Sequence, residues 1–130
     1  MIDSVKIMNP KALTNIFGIL PDFIGSELMD IRIKSFRRTM FIQLMTTQPV
    51  QAKPKRWDKW DVIYVEISLG DIRNLVINGD VRSNSIIQFD LEKVGEEGLL
   101  GIKCNNEMYI RCTFDWARIE QITPGLIGSL

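Results

Sequence analysis

From residue 28 onward the apolar side chains recur at every second position, a rhythm that fits the two-sided pleat of a β-strand and cannot line one face of a helix. In 28–35, Met29, Ile31 and Ile33 alternate with Asp30, Arg32 and Lys34, which describes a strand with one buried and one wet face. The run 40–45 is apolar on both faces apart from Gln43. A turn at Arg37-Arg38 would place Ile33 opposite Ile42 and Ile31 opposite Leu44. A one-residue slip would instead set Arg32 or Lys34 against that apolar face. The in-register hairpin is therefore expected, even though its turn dipeptide lacks Gly or Asn.

Strands resume at 62–69, with Ile63, Val65, Ile67 and Leu69 on one face. The chain turns at Gly70-Asp71, runs on through 72–77 and breaks at Asn78-Gly79-Asp80. A fifth strand over 85–91 sets Ile87, Phe89 and Leu91 against Gln88 and Asp90. Gly95–Gly98 reads as a further turn, 99–104 and 108–114 as a last hairpin, and 116–124 as a closing strand or short helix. Only the N-terminal part follows another rhythm. Asn9-Pro10-Lys11 offers a helix cap with Pro at the first helical position, and Ala12, Leu13, Ile16 and Phe17 then recur at helical spacing up to Gly18. The spacing predicts a helix over 10–17 and a Pro/Gly-punctuated loop over 21–26. The fold class is α+β and predominantly antiparallel β, a meander-like sheet or sandwich carrying a short N-terminal helix.

Pairing across the last hairpin decides the state of the only two cysteines. A three-residue loop ending at Glu107 pairs Ile102 with Ile110 and Leu100 with Cys112 on one apolar face, which the alternative two-residue turn does not achieve. Cys104 and Cys112 then share that face about 13 Å apart, beyond disulfide reach. Two free, buried thiols are expected.

With 130 residues, the chain is expected to form a single domain over 1–130. Sixteen basic residues balance sixteen acidic ones, so no global field draws the chain to nucleic acid or to an anionic membrane. No apolar stretch is long enough to span a bilayer, and the start Met1-Ile2-Asp3-Ser4-Val5-Lys6 lacks the basic and apolar regions of an export signal. A cytoplasmic location is expected. Histidine is absent, which removes the commonest general base and the commonest metal ligand together. Glu96-Glu97 and Asp58 with Asp61 read as solvated turn acids, and Gly95-Glu-Glu-Gly98 lacks the Lys and following helix of a phosphate-binding loop. No catalytic, cofactor-binding or metal-ligating residue is assigned.

Residues 46–60 hold two prolines and no alternation and form the one long loop, where Lys53, Lys55, Arg56 and Lys59 interleave with Trp57 and Trp60. At least one Trp ring is expected on the core with Lys and Arg stems covering it. Trp and Arg also dominate binding hot spots. Arg56, Trp57, Asp58, Trp60 and Asp61 are therefore the candidate partner-binding residues, ahead of any nucleic-acid role.

Several stretches together resemble the immunity protein 50 family of bacterial polymorphic-toxin systems. They are Asn15-Ile16-Phe17-Gly18, Pro21-Asp22-Phe23, Glu27-Leu28 leading into Ile31-Arg32-Ile33, the Trp57/Trp60 loop before an Ile/Val-rich strand, and the closing Ile119-Glu-Gln-Ile122-Thr-Pro124. Where the family places an acid after the Pro-x-Phe step this chain has Gly25, which leaves any such role to Glu27 or Asp22. The resemblance implies a small protein that binds and masks a cognate toxin domain without catalysis. A general interaction or structural module, then a small-ligand binder or carboxylate enzyme, are the alternatives to that reading.

Overall fold

Helix and strands fall where the two periodicities place them. The computed structural model describes residues 7–8, 11–80 and 84–127, so the expected Asn9-Pro10 cap lies outside the described residues. The helix α1, Lys11–Phe17, buries Leu13, Ile16 and Phe17. Gly18 ends it at φ 83°, donating its N–H to Thr14 O at 2.8 Å, a left-handed stop that suits a residue without Cβ. The strands are β1 (Ile7–Met8), β2 (Glu27–Lys34), β3 (Thr39–Thr46), β4 (Val62–Gly70), β5 (Arg73–Asn78), β6 (Ile86–Val94), β7 (Glu97–Cys104), β8 (Tyr109–Phe114) and β9 (Trp116–Gly125). The closing segment is thus a strand.

The strands form a five-stranded sheet in the order β1-β9-β4-β3-β2 and a four-stranded sheet in the order β5-β8-β7-β6, paired antiparallel except where β1 meets β9. Both sheets feed one core. Met40, Ile42 and Leu44 of β3 and Val65, Ile67 and Leu69 of β4 join Leu100 and Ile102 of β7 and Ile110 and Phe114 of β8. The chain crosses between sheets from β4 to β5 and from β8 to β9, and Asp115 N–H donates to Gly70 O at 2.9 Å where the crossings meet. Elsewhere the segment before β2 is stitched to β6: Gly25 N–H donates to Ile86 O (2.8 Å), and Ile86 N–H to Ser26 O (2.7 Å). The fully buried Phe23 lies edge-on to Phe89 at 5.2 Å.

Arg73 clamps the first of these corners. Its guanidinium donates to Glu97 (2.9 Å), to Asp115 (2.8 Å) and to Asp71 O (2.8 Å). Hydrogen bonds from Arg73 hold both carboxyls below their usual range. A carboxyl whose folded value lies below its unfolded one stabilises the fold above the unfolded value, about pH 4, and loses that contribution as pH falls through the folded value. An Arg73→Gln variant should therefore flatten the acid limb of the melting temperature against pH. The change should be modest, because these groups are partly exposed and screened.

The last hairpin has the expected register, with Ile102 opposite Ile110 and Leu100 opposite Cys112. Both cysteines are free and buried. Burial pushes the Cys112 thiol up to about 11 and raises that of Cys104, with Glu27 adding to it. Since the thiolate is the nucleophile, a thiol reagent at neutral pH should label neither residue until denaturant is added, and then both, without prior reduction. Fast labelling of the folded chain would contradict this packing.

Four expectations need correction. In the first hairpin Ile33 faces Met40 and Ile31 faces Ile42, two residues from the expected pairing. The connection is not a two-residue turn but Ser35–Arg38, with Arg37 at φ 66° and Arg38 at φ 47°. The parity is kept, so the same faces meet. β2 is an edge strand with a bulge between Leu28 and Asp30. The expected buried set is therefore largely open: Met29 is 48% and Ile33 50% exposed. A bulge also separates Ile86 from Gln88, which turns Ile86 inward and leaves Ile87 57% exposed. Finally, Gly98 belongs to β7, opposite Phe114, and the turn lies at Gly95-Glu96. A Cβ on Gly98 would stand 2.4 Å from the Phe114 ring, so this glycine serves packing rather than turning.

Candidate functional site

The long loop between β3 and β4 is held down along its length. Ile16 O of α1 accepts from Gln51 N–H (2.7 Å) and Ala52 N–H (3.2 Å), and Trp57 N–H donates to Pro54 O at 3.0 Å. Lys53 Nζ donates to Trp57 O at 2.6 Å. Trp57 is 2% exposed and belongs to the core, with the half-buried Trp60 packed on it edge-on at 5.4 Å. Asp61 accepts from Ile127 N–H at 2.9 Å and donates its own N–H to Gly125 O at 2.9 Å, tying the end of β9 to the loop. Arg56 and Asp58 stand exposed. The five residues singled out from the sequence thus divide into a buried anchor, a half-buried ring, a brace and two free charges.

A second surface lies at the other end of β3. Residues paired across β2, β3, β4 and β9 point the same way, so Arg32, Phe41, Ser68 and Arg118 lie side by side on the outer face of the five-stranded sheet. The guanidinium of Arg32 sits over the Phe41 ring at 4.9 Å and is paired with Glu66 and, at 3.6 Å, with Asp30. Lys34 Nζ lies over the same ring at 5.0 Å. Towards the hairpin, the indole of Trp116 covers Gly70, where a Cβ would meet it at 1.8 Å. Between this ring and the hairpin tip opens a groove of about 620 Å³, lined by the rings of Phe36, Phe41 and Trp116, the cations Lys34 and Arg37, and Thr39 and Asp71.

The tip is rigidly supported. Arg38 N–H donates to Ser35 O (3.1 Å), Ile72 N–H donates to Arg38 O (3.0 Å), and the Arg38 guanidinium pairs with Asp71 at 2.9 Å. Phe36, 79% exposed, meets the Arg37 guanidinium at 5.5 Å. Sequence reading passed over this cluster because Lys34-Ser-Phe-Arg-Arg38 looked like a turn and nothing more. The available signal was a turn with no Gly or Asn that nonetheless needs positive φ at two arginines, since such strain persists where the surroundings impose it and often marks functional positions.

Among the described residues no helix is long and apolar enough to cross a membrane. A family model described as Immunity protein 50 matches residues 9–125. Comparison with curated proteins and with solved structures gives no match.

Proposed function

We propose, from the premise that the chain belongs to the immunity protein 50 family, that it neutralises a toxin by binding the cognate toxin domain and does so without catalysis. The family match over most of the chain carries this reading. The charge arrangement supports it: Arg73 clamps two carboxylates at a chain crossing, Arg32 and Arg38 are paired along the sheet, and the cysteines are buried with raised thiol values. These groups are spent on structure, while aromatic rings and cations face outward, as partner recognition requires. The exposed Arg56 and Asp58, with Trp60 beside them, form one proposed contact, and Trp57 and Asp61 hold that loop in place from beneath. The test is co-expression with the protein encoded next to this chain, scoring survival and co-purification. Protection together with a stable complex is expected. Protection without a complex, accompanied by chemical change of the toxin, would point to an enzyme instead.

A further inference from the structure

We propose that the groove under the β2–β3 hairpin tip is the principal toxin-contacting surface and that it receives an acidic, carboxylate-bearing segment of the toxin domain; this rests on the immunity reading above. The charge balance points to the occupant. Around the groove, Arg38 is neutralised by Asp71 and Arg32 by Glu66 and Asp30. Lys34 and Arg37 have no carboxylate within ion-pair reach among the described residues. Each lies instead against an aromatic ring, at 5.0 Å from Phe41 and 5.5 Å from Phe36. A cation stacked on a ring keeps its hydrogen-bond donors free, and a carboxylate brought between two such cations meets complementary charge beside apolar rings.

Shape and rigidity agree with that occupant. Phe36 projects from a tip whose backbone is fixed by three interactions, Arg38 N–H to Ser35 O, Ile72 N–H to Arg38 O and the Arg38–Asp71 pair. A ring carried on a backbone fixed in advance loses less freedom on binding than one on a mobile loop, and aromatic and arginine side chains carry most hot-spot energy. Nucleic acid fits less well. Two unpaired cations release few counterions, and the net charge of zero adds no long-range attraction.

Three variants of the full chain test the assignment against an inactivated form of the toxin domain that the co-expression captures, with association and dissociation rates read at two salt concentrations. Phe36→Ala should speed dissociation about 30-fold, the effect of losing a central anchor. Lys34→Gln with Arg37→Asn should slow association about 10-fold and remove most of its salt dependence; Asn tolerates the left-handed backbone at 37. Arg56→Ala with Asp58→Ala, the secondary contact at the opposite end of β3, should slow association about 3-fold, less than either hairpin variant changes its rate, and a larger effect there than at the hairpin would overturn the groove as the principal surface. If a Phe36→Ala melt departs from that of the parent, Phe36→Gln takes its place. Parental rates in both hairpin variants, with the unaltered chain still binding, would overturn the groove and leave the immunity reading standing. A parent chain that neither binds nor protects would overturn both. Tight binding of a labelled oligonucleotide that Phe36→Ala abolishes would overturn the acidic protein segment as occupant.

Discussion

Replacing Trp57 by alanine should destabilise the chain by about 3–5 kcal/mol, the usual cost of removing a large aromatic from a close-packed core. A domain of this kind has a total stability of about 5–15 kcal/mol, so the variant should melt much earlier and be only partly folded at physiological temperature. The reasons lie in its surroundings. The ring is 2% exposed, packs edge-on against Trp60 and belongs to the core that unites the two sheets. Lys53 reaches back to its carbonyl, so loss of the ring would also loosen the loop around it. Trp57→Phe should cost less, because it keeps most of the apolar contact. Denaturant unfolding measures the loss, and toxin affinity expressed per folded molecule should stay near that of the parent. Intact stability with lost binding would instead return Trp57 to the contact surface.

Trp57 also shows how far the sequence could be read. Its composition allowed both a core ring and a surface anchor, since a Trp beside Lys and Arg satisfies either. What decides between them is the pair of N–H donors that Gln51 and Ala52 direct to Ile16 O, a contact between distant segments that no local pattern announces. The strands were legible because half-buried sheets impose strict alternation. That alternation fails at bulges, where one residue is added and the inward set changes parity. Leu28-Met29 and Ile86-Ile87 each offer two adjacent apolar residues for one inward position. Periodicity chose Met29 and Ile87, whereas the bulges turn Leu28 and Ile86 inward. In β9 the three-residue step from Ile119 to Ile122 is itself the trace of a bulge, opposite Glu66 and Ile67.

The family resemblance was legible for a related reason. Ile16, Phe17, Phe23, Trp57 and Ile119 are buried, so the elements that carry the likeness are mainly those that hold the scaffold together. Asp22 illustrates the same division: its carboxylate accepts from Ile24 N–H at 3.0 Å, closing the turn that presents Phe23 to the core. Partner choice falls to exposed positions, which obey no core periodicity and are free to differ with each partner. Phe36 and Arg37 are of this kind. Their proposed role follows from the way four neighbouring strands and one corner arrange their surroundings.

Putting valine at Gly70 should couple that scaffold to the groove. In β4 the position faces outward directly opposite Trp116, and an added Cβ would stand 1.8 Å from the indole, so the ring has to leave the groove lining. Overpacking of this sort costs about 1–3 kcal/mol, and the neighbouring crossing raises the stakes, because Gly70 O accepts from Asp115 N–H. If a toxin segment rests on Trp116, Gly70→Val should speed dissociation of the complex about 10-fold or more. Trp116→Ala separates the two effects through a double-mutant cycle. Removing the indole makes room for the valine, so the double variant should recover part of the stability lost by Gly70→Val. Binding should not recover, because the indole is missing from the groove in both. Recovery of stability and binding together would show that the strand, and not the indole, carries the contact. A Gly70→Val chain as stable and as tightly bound as the parent would mean that Trp116 can be displaced freely and contributes to neither.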